Sequence, residues 1–163
     1  MSKTTYQAKV GKESKTARAM TTNANISLKY STEICNQIKG KYVNATITWM
    51  EKIINHEEYL PLKRYNTKVA HRKGESKQGV KSGKYPEKTL KIFLDLLNSV
   101  KNNADFKGLD VEKINIIHAF ASKGVSRVTY QSKGKISGKA RKRNATHIEI
   151  IVSEVKAWLK EHL

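Results

Sequence analysis

The residues of this chain with chemistry to offer are cations, and they fall in two runs. Between Ala119 and Thr146, 28 residues hold eight Lys/Arg (Lys123, Arg127, Lys133, Lys135, Lys139, Arg141, Lys142 and Arg143) and no acid. Between Pro61 and Lys84 lie Lys63, Arg64, Lys68, Arg72, Lys73, Lys77, Lys81 and Lys84, opposed by Glu75 alone. A guanidinium or ammonium with no carboxylate neighbour is a phosphate ligand, not a proton-transfer group. On a chain of net charge +18, these two runs select a polyanion as partner, and nucleic acid is the obvious one. Each phosphate neutralised releases counterions, so affinity is expected to fall with salt with a log–log slope of about −0.7 to −0.9 per contact. Tyr65 and His71 interleave with the first run, and Tyr65, Tyr85 and Tyr130 are candidates to stack on bases. For Tyr85 a buried structural role competes on equal terms.

Catalytic and metal chemistry find little support. Gly74-Glu75-Ser76-Lys77-Gln78-Gly79 has the glycine spacing of a phosphate loop, but Val80 stands where Lys is required. Gly79-Val80-Lys81-Ser82-Gly83-Lys84 is one residue short, and Tyr85 replaces the Mg²⁺-ligating hydroxyl. His56, His71, His118, His147 and His162 show no zinc-ligand spacing, although His118 and His147 are placed to meet across strands as a polar pair. Glu57-Glu58 and Asp105 with Asp110 come without a nucleophile or base, so a nuclease is unsupported. The single cysteine, Cys35, excludes an internal disulfide, and beside Ile34 and Ile38 it reads as a small buried hydrophobe. No cofactor is implied.

Two strand-like runs must position the second cationic run. Val111–His118 precedes it and His147–Val152 follows it, with Ile148, Ile150 and Val152 alternating with His147, Glu149 and Ile151. Strands closing on a polycationic excursion make a long β-hairpin. About 14 residues per arm at ~3.3 Å each give a reach of roughly 40–45 Å. Such an isolated ribbon is marginal in water, so the arm is expected to be loose alone and fixed by its partner. The first cationic run has no periodicity and reads as a functional loop. Apolar positions at helical spacing predict helices from about Lys29 to Lys39 (Tyr30, Ile34, Cys35, Ile38; stop at Gly40) and from Val43 to Glu57 (Val43, Ile47, Met50, Ile54, widened by Thr46 and Ile53). A third helix starts after Pro86 and carries Leu90, Phe93, Leu94, Leu97 and Val100, ending around Asn102, Asn103 and Gly108. Asn25–Leu28 reads as a short strand, residues 1–20 as a basic, mostly disordered tail, and Ser153–Leu163 as a closing helix.

At 163 residues this is one domain with appendages. The hydrophobic share, 38%, lies below the ~45–50% (Gly included) of globular domains, and the deficit sits in the tail, the loop and the hairpin. No apolar run approaches the ~18 residues of a membrane span, and the first residues lack the apolar core of a signal peptide, so a soluble, cytoplasmic chain is expected.

From Asn103-Ala104-Asp105-Phe106-Lys107-Gly108-Leu109-Asp110 onward the sequence resembles the universal large-subunit ribosomal protein family numbered twenty-two in bacteria and seventeen in eukaryotes. Gln37-Ile38-Lys39-Gly40, Lys63-Arg64-Tyr65-Asn66, Gly83-Lys84-Tyr85-Pro86, Thr129-Tyr130, Gly134-Lys135-Ile136 and His147-Ile148-Glu149-Ile150 carry the likeness across most of the chain, in order. The basic insert Pro61–Lys84 is similar to that of the archaeal and eukaryotic branch, and the lack of a long C-terminal extension leans archaeal. The resemblance implies an α+β fold: three helices packed on a small antiparallel three-stranded sheet, with a long protruding basic β-hairpin. It divides the chain into the tail 1–20, an α+β domain 21–153 and a C-terminal helix 154–163. It further implies a structural constituent of the large ribosomal subunit, not an enzyme. Its expected partners are large-subunit ribosomal RNA, neighbouring ribosomal proteins and the nascent polypeptide, with no membrane and no homo-oligomer. Arg127, Thr129, Tyr130, Lys133, Gly134 and Lys135 would stand at the tunnel-lining tip, and Lys139, Arg141, Lys142 and Arg143 would clamp RNA on the returning strand. Ser126, Val128 and Gln131 depart from the arginine-rich tips of eukaryotic relatives. The competing reading from the residues alone is a free-standing DNA-binding or chromatin-architectural protein, which would bind duplex DNA comparably and dimerise.

Overall fold

Leu90, Phe93, Leu97 and Val100, three and four residues apart, place one apolar stripe on a helix, and the domain is built against it. In the computed structural model, which describes residues 6–8, 15–73, 79–132, 134–135 and 138–154, that stripe is fully buried. The elements run β1 (Thr16–Ala24), α1 (Leu28–Ile38), α2 (Val43–Ile54), β2 (Leu60–Pro61), β3 (Gly83–Lys84), α3 (Glu87–Phe106), β4 (Ile114–Tyr130) and β5 (Ala140–Glu154). β1, β5 and β4 form an antiparallel sheet in that spatial order, and β2 and β3 form a separate two-stranded ladder. One core joins α1 (Ile34, Ile38), α2 (Met50, Ile53) and α3 (Leu90, Phe93, Leu97) to Ile114, Ile116, Ile148 and Ile150 of the sheet. This is the α+β arrangement expected, with three helices and a small antiparallel sheet.

α1 stops at Ile38 because Gly40 takes a φ of 77°, a backbone setting that suits glycine. The same residue ties the helix to the sheet: its N–H donates to the Ile116 carbonyl (2.8 Å), and the Ile116 N–H donates to the Lys41 carbonyl (2.9 Å). α2 ends at Ile54, short of Glu57, and His56 follows with a φ of 64°. α3 continues past Asn102 and Asn103 to Phe106. Its last turns brace the sheet, since Asn103 Nδ2 donates to the Arg18 carbonyl (3.0 Å) and Lys107 Nζ to the Thr16 carbonyl (2.9 Å).

The third strand lies elsewhere than expected. Asn25–Leu28 is not a strand: Ile26 turns back on the Ala24 carbonyl (2.9 Å), Ser27 precedes α1, and Leu28 opens it. The strand is β1, which pairs Thr16 with Ser153 and Ala19 with Ile150, so Thr16–Met20 of the expected tail belong to the sheet. Its inward residues, Ala17 and Ala19, are buried but small, and the strand lacks the β-branched run that would have marked it. Of the earlier tail, Gln7 donates its N–H to the Glu149 carboxylate (3.0 Å), and the Arg18 guanidinium lies 5.0 Å from the Tyr6 ring centre. Ser153 and Glu154, expected to open the C-terminal helix, instead end β5 in its pairing with β4, and the rest of that expected helix, 155–163, lies outside the described residues.

Cys35 is buried on α1, as its neighbours implied. Loss of hydration pushes its thiol from 9.0 up to about 12, because the buried site disfavours the thiolate. A thiol reagent at neutral pH should therefore leave the folded protein unlabelled and modify it fully in guanidinium. The folded state favours the protonated thiol, so this contribution to stability is intact below pH 9 and is lost as the pH rises towards 12. Labelling of folded protein at the rate of a free thiol would contradict the burial.

Candidate nucleic-acid interface

β4 and β5 pair from Ile114↔Glu154 out to Tyr130↔Ala140, so the two strands enclose the second cationic run as a hairpin. Near the sheet the ladder is buried on Ile116, Ala119, Ile148, Ile150 and Val152, whereas from Val125 to Tyr130 and from Ala140 to Asn144 it is exposed. The core thus holds only the root. Two bulges, between Ile116 and His118 and between Lys123 and Ser126, interrupt the register and turn the ribbon. At the second, Gly124 passes so close to β1 that an added Cβ would stand 2.6 Å from Asn23 Oδ1. Asn23 reaches across to accept the Val125 N–H (3.1 Å), and donates its own N–H to His147 Nδ1 (3.1 Å).

Beyond the bulge the register sets one pair of cations directly against each other and crowds two more beside them. Arg127 stands opposite Arg143, Val128 opposite Lys142 and Thr129 opposite Arg141. Like charges directly opposed destabilise a ladder, so the ribbon carries a repulsion that only an external anion relieves. Lys123, Arg127, Lys135, Lys139, Arg141, Lys142 and Arg143 make no ion pair among the described residues. The end is closed by Gln131 N–H to the Lys139 carbonyl (3.2 Å) and Gly138 N–H to the Gln131 carbonyl (2.7 Å), with Gly134 and Lys135 in the turn. Tyr130 is 73% exposed at this end, available for stacking. Lys133 lies outside the described residues.

The two histidines do not meet. The first bulge puts His118 opposite Ile151, while His147 is opposite Ser122. His118 Nε2 instead lies 2.8 Å from the Glu149 carboxylate, which is buried beneath the segment carrying Gln7. Glu149 and Ile151, which alternate with the core-facing Ile148, Ile150 and Val152, are buried as well, and Glu149 is satisfied there by His118 and the Gln7 N–H.

The first cationic run has more structure than a periodicity-free loop. β2 and β3 clamp its ends, Leu62 N–H donates to the Ser82 carbonyl (2.9 Å), and Arg72 donates its N–H to the Lys81 carbonyl (2.8 Å) and Nε–H to the Gly83 carbonyl (3.1 Å). Its docking point was missed by sequence reasoning. Glu33, on the buried side of α1, accepts the backbone N–H groups of Lys63 (3.3 Å), Arg64 (2.7 Å) and Tyr65 (2.8 Å). Gln37, one turn on, donates to the Pro61 carbonyl (2.7 Å). The available signal was an acid and an amide four residues apart on the helical face that also carries Ile34 and Ile38. This fastening turns Lys63, Arg64, Lys68, Lys73 and Lys81 outward, all exposed, with Arg72 and Lys84 half-buried; Lys77 lies outside the described residues.

Tyr65 lies half-buried between Lys29 and Arg64, at 5.7 and 5.5 Å from its ring centre. Tyr85 is engaged by the protein itself, stacked on His56 (4.4 Å between ring centres) with the Arg72 guanidinium 5.2 Å from its ring. Its structural role prevails over base stacking. Among the described residues no group of His, Cys, Asp or Glu is placed to hold a metal ion, and no helix is long and apolar enough to cross a membrane.

The sequence matches proteins of known type along nearly its whole length. It is 41% identical to the large ribosomal subunit protein uL22 of Ignicoccus hospitalis over 145 residues, covering 87% of this chain and 90% of that protein. It is 37% identical to the uL22 of Archaeoglobus fulgidus over 158 residues (96% and 99%) and 33% identical to that of Sulfolobus acidocaldarius over 156 residues (95% and 100%). Residues 19–153, from β1 to the end of the central strand, match the family model described as ribosomal protein L22p/L17e, and the chain belongs to that family.

Proposed function

We propose that this protein is a structural constituent of the large ribosomal subunit in the cytoplasm and that its two cationic segments bind large-subunit ribosomal RNA. The observation that carries this reading is the exposed half of the hairpin, where Arg127 and Arg143 stand directly opposed and, with Lys139, Arg141 and Lys142, make no ion pair among the described residues. The globular part, held by its own core, fixes the root of the arm and the outward face of the 61–84 loop. The arm reaches into RNA, and its end, with Tyr130, Lys133, Gly134 and Lys135, lines the path of the nascent polypeptide, while Arg127 and Thr129, expected at the tip, are set back beside Asn23 and Asn25 and face RNA. Neighbouring ribosomal proteins are further partners, and the chain works as a single copy. Recognition is of RNA shape and backbone, in which phosphate contacts position the protein.

In-cell ultraviolet cross-linking with sequencing of the attached RNA tests this. The expected result is large-subunit ribosomal RNA joined to peptides from 63–84 and 123–143. Cross-links spread over messenger RNA, or to DNA in place of RNA, would overturn it in favour of a free-standing nucleic-acid binder. None of the relatives named above is of that kind.

A further inference from the structure

We propose that the cleft where the exposed arm leaves β1 holds one unpaired RNA nucleotide, its base on Val125 with its edge at Asn25, and its phosphate between Arg127 and Arg143. The inference rests on the RNA-binding reading and adds to it a point of base recognition. The cleft, of about 370 Å³, is lined chiefly by Asn23, Asn25, Val125, Arg127, Thr129 and Arg143. That volume is near the lower end of the ~300–1,000 Å³ of small-ligand sites. Unlike the rest of the arm, it has one wall fixed by β1. Asn23 takes a φ of 53° and is pinned on both sides, by the Val125 N–H and by His147 Nδ1.

Two features of the lining suit a base and not a duplex, and a third holds the phosphate that comes with it. Val125 is 59% exposed, an apolar surface among cations, and a paired helix presents phosphates and groove edges but no free base face to cover it. Asn25 is exposed, and its amide has no hydrogen-bond partner among the described residues. An amide offers a donor and an acceptor side by side, the pattern that reads a base edge. Arg127 and Arg143 are directly opposed, so their side chains rise from the same face a cross-strand spacing apart, where one phosphate can accept from both. Strand alternation puts Val125, Arg127 and Thr129 on that same face.

The full-length protein is titrated with a labelled, fully paired RNA duplex and with the same duplex carrying one bulged nucleotide, in each of the four bases. At least one bulged probe should bind about tenfold tighter than the paired one. Asn25→Ala and Val125→Ser, both at exposed positions, should each bring that ratio below about twofold. A bulged 4-thiouridine should cross-link to peptides containing Asn25 or Val125. Equal affinity for paired and bulged probes, or a preference that survives both substitutions, would overturn the site while leaving the RNA-binding reading intact. Failure to bind either probe would overturn both.

Discussion

Replacing Arg127, Arg141, Lys142 and Arg143 together by Gln should weaken binding to large-subunit ribosomal RNA by a few hundred-fold at about 0.15 M salt, and should flatten the log–log salt slope by about 3. The size follows from counterion release at about 0.7–0.9 per phosphate contact, applied to four contacts. All four side chains are exposed, and none has an ion pair among the described residues to lose. The variant should therefore fold with an unchanged or slightly higher Tm, because the Arg127–Arg143 opposition is relieved. Retained structure with lost affinity separates this result from unfolding. A slope that stays at the wild-type value would show that these cations do not touch phosphate. The same change at Lys63 and Arg64 should flatten the slope by about half as much.

Glu33→Ala should lower the Tm by roughly 6–12 °C. Glu33 is 2% exposed, and its carboxylate is the acceptor for three consecutive backbone N–H groups, at Lys63, Arg64 and Tyr65. Removing it strands those donors at the edge of the core, at about 1–3 kcal/mol for each one that water cannot reach. A net loss of about 3 kcal/mol corresponds to that shift, at ~2–4 °C per kcal/mol for a domain of this size. Glu33→Gln keeps one carbonyl oxygen for the Arg64 and Tyr65 contacts and should cost about 1 kcal/mol. The alanine variant should also bind RNA more weakly, because the loop that turns Lys63 and Arg64 outward loses its fastening. A Tm within a degree of wild type would show that the loop is held by β2 and β3 alone.

What was legible in the sequence tracks how strongly each element buries apolar side chains. α3, with Leu90, Phe93, Leu97 and Val100 at helical spacing, was readable to within a few residues, and the alternation Ile148, Ile150, Val152 marked β5. β1 was not readable, because it fills its inward positions with Ala17 and Ala19 and surrounds them with Arg18, Thr21 and Thr22. Its identity as a strand comes from its pairing with β5. The cations of the candidate interface were visible as composition. Their placement was not: Arg127 facing Arg143 depends on a bulge at Lys123/Ser126, and the His118–Glu149 contact depends on another at Ile116/His118. A single bulged residue changes every later pairing, and no residue type announces it. Glu33 was passed over for a related reason, since a buried acid declares itself only through the loop it holds.

The order β1-β5-β4 bears on how the protein comes into being. β5 is the middle strand, and it is synthesised after both of its neighbours. Until β5 is made, from Ala140 onward, β1 and β4 have no strand to pair with in this sheet, and the Thr16↔Ser153 contact, the last to become possible, spans most of the sequence. Such non-local closure is slow, and until it is complete the growing polypeptide carries two runs of eight cations, one in its loop and one in its hairpin. The sheet is therefore completed late, after both cationic runs have been made. During that interval its attraction to any nearby polyanion is already at full strength, and the newly made chain depends on prompt closure or on an escort to keep it from the wrong one.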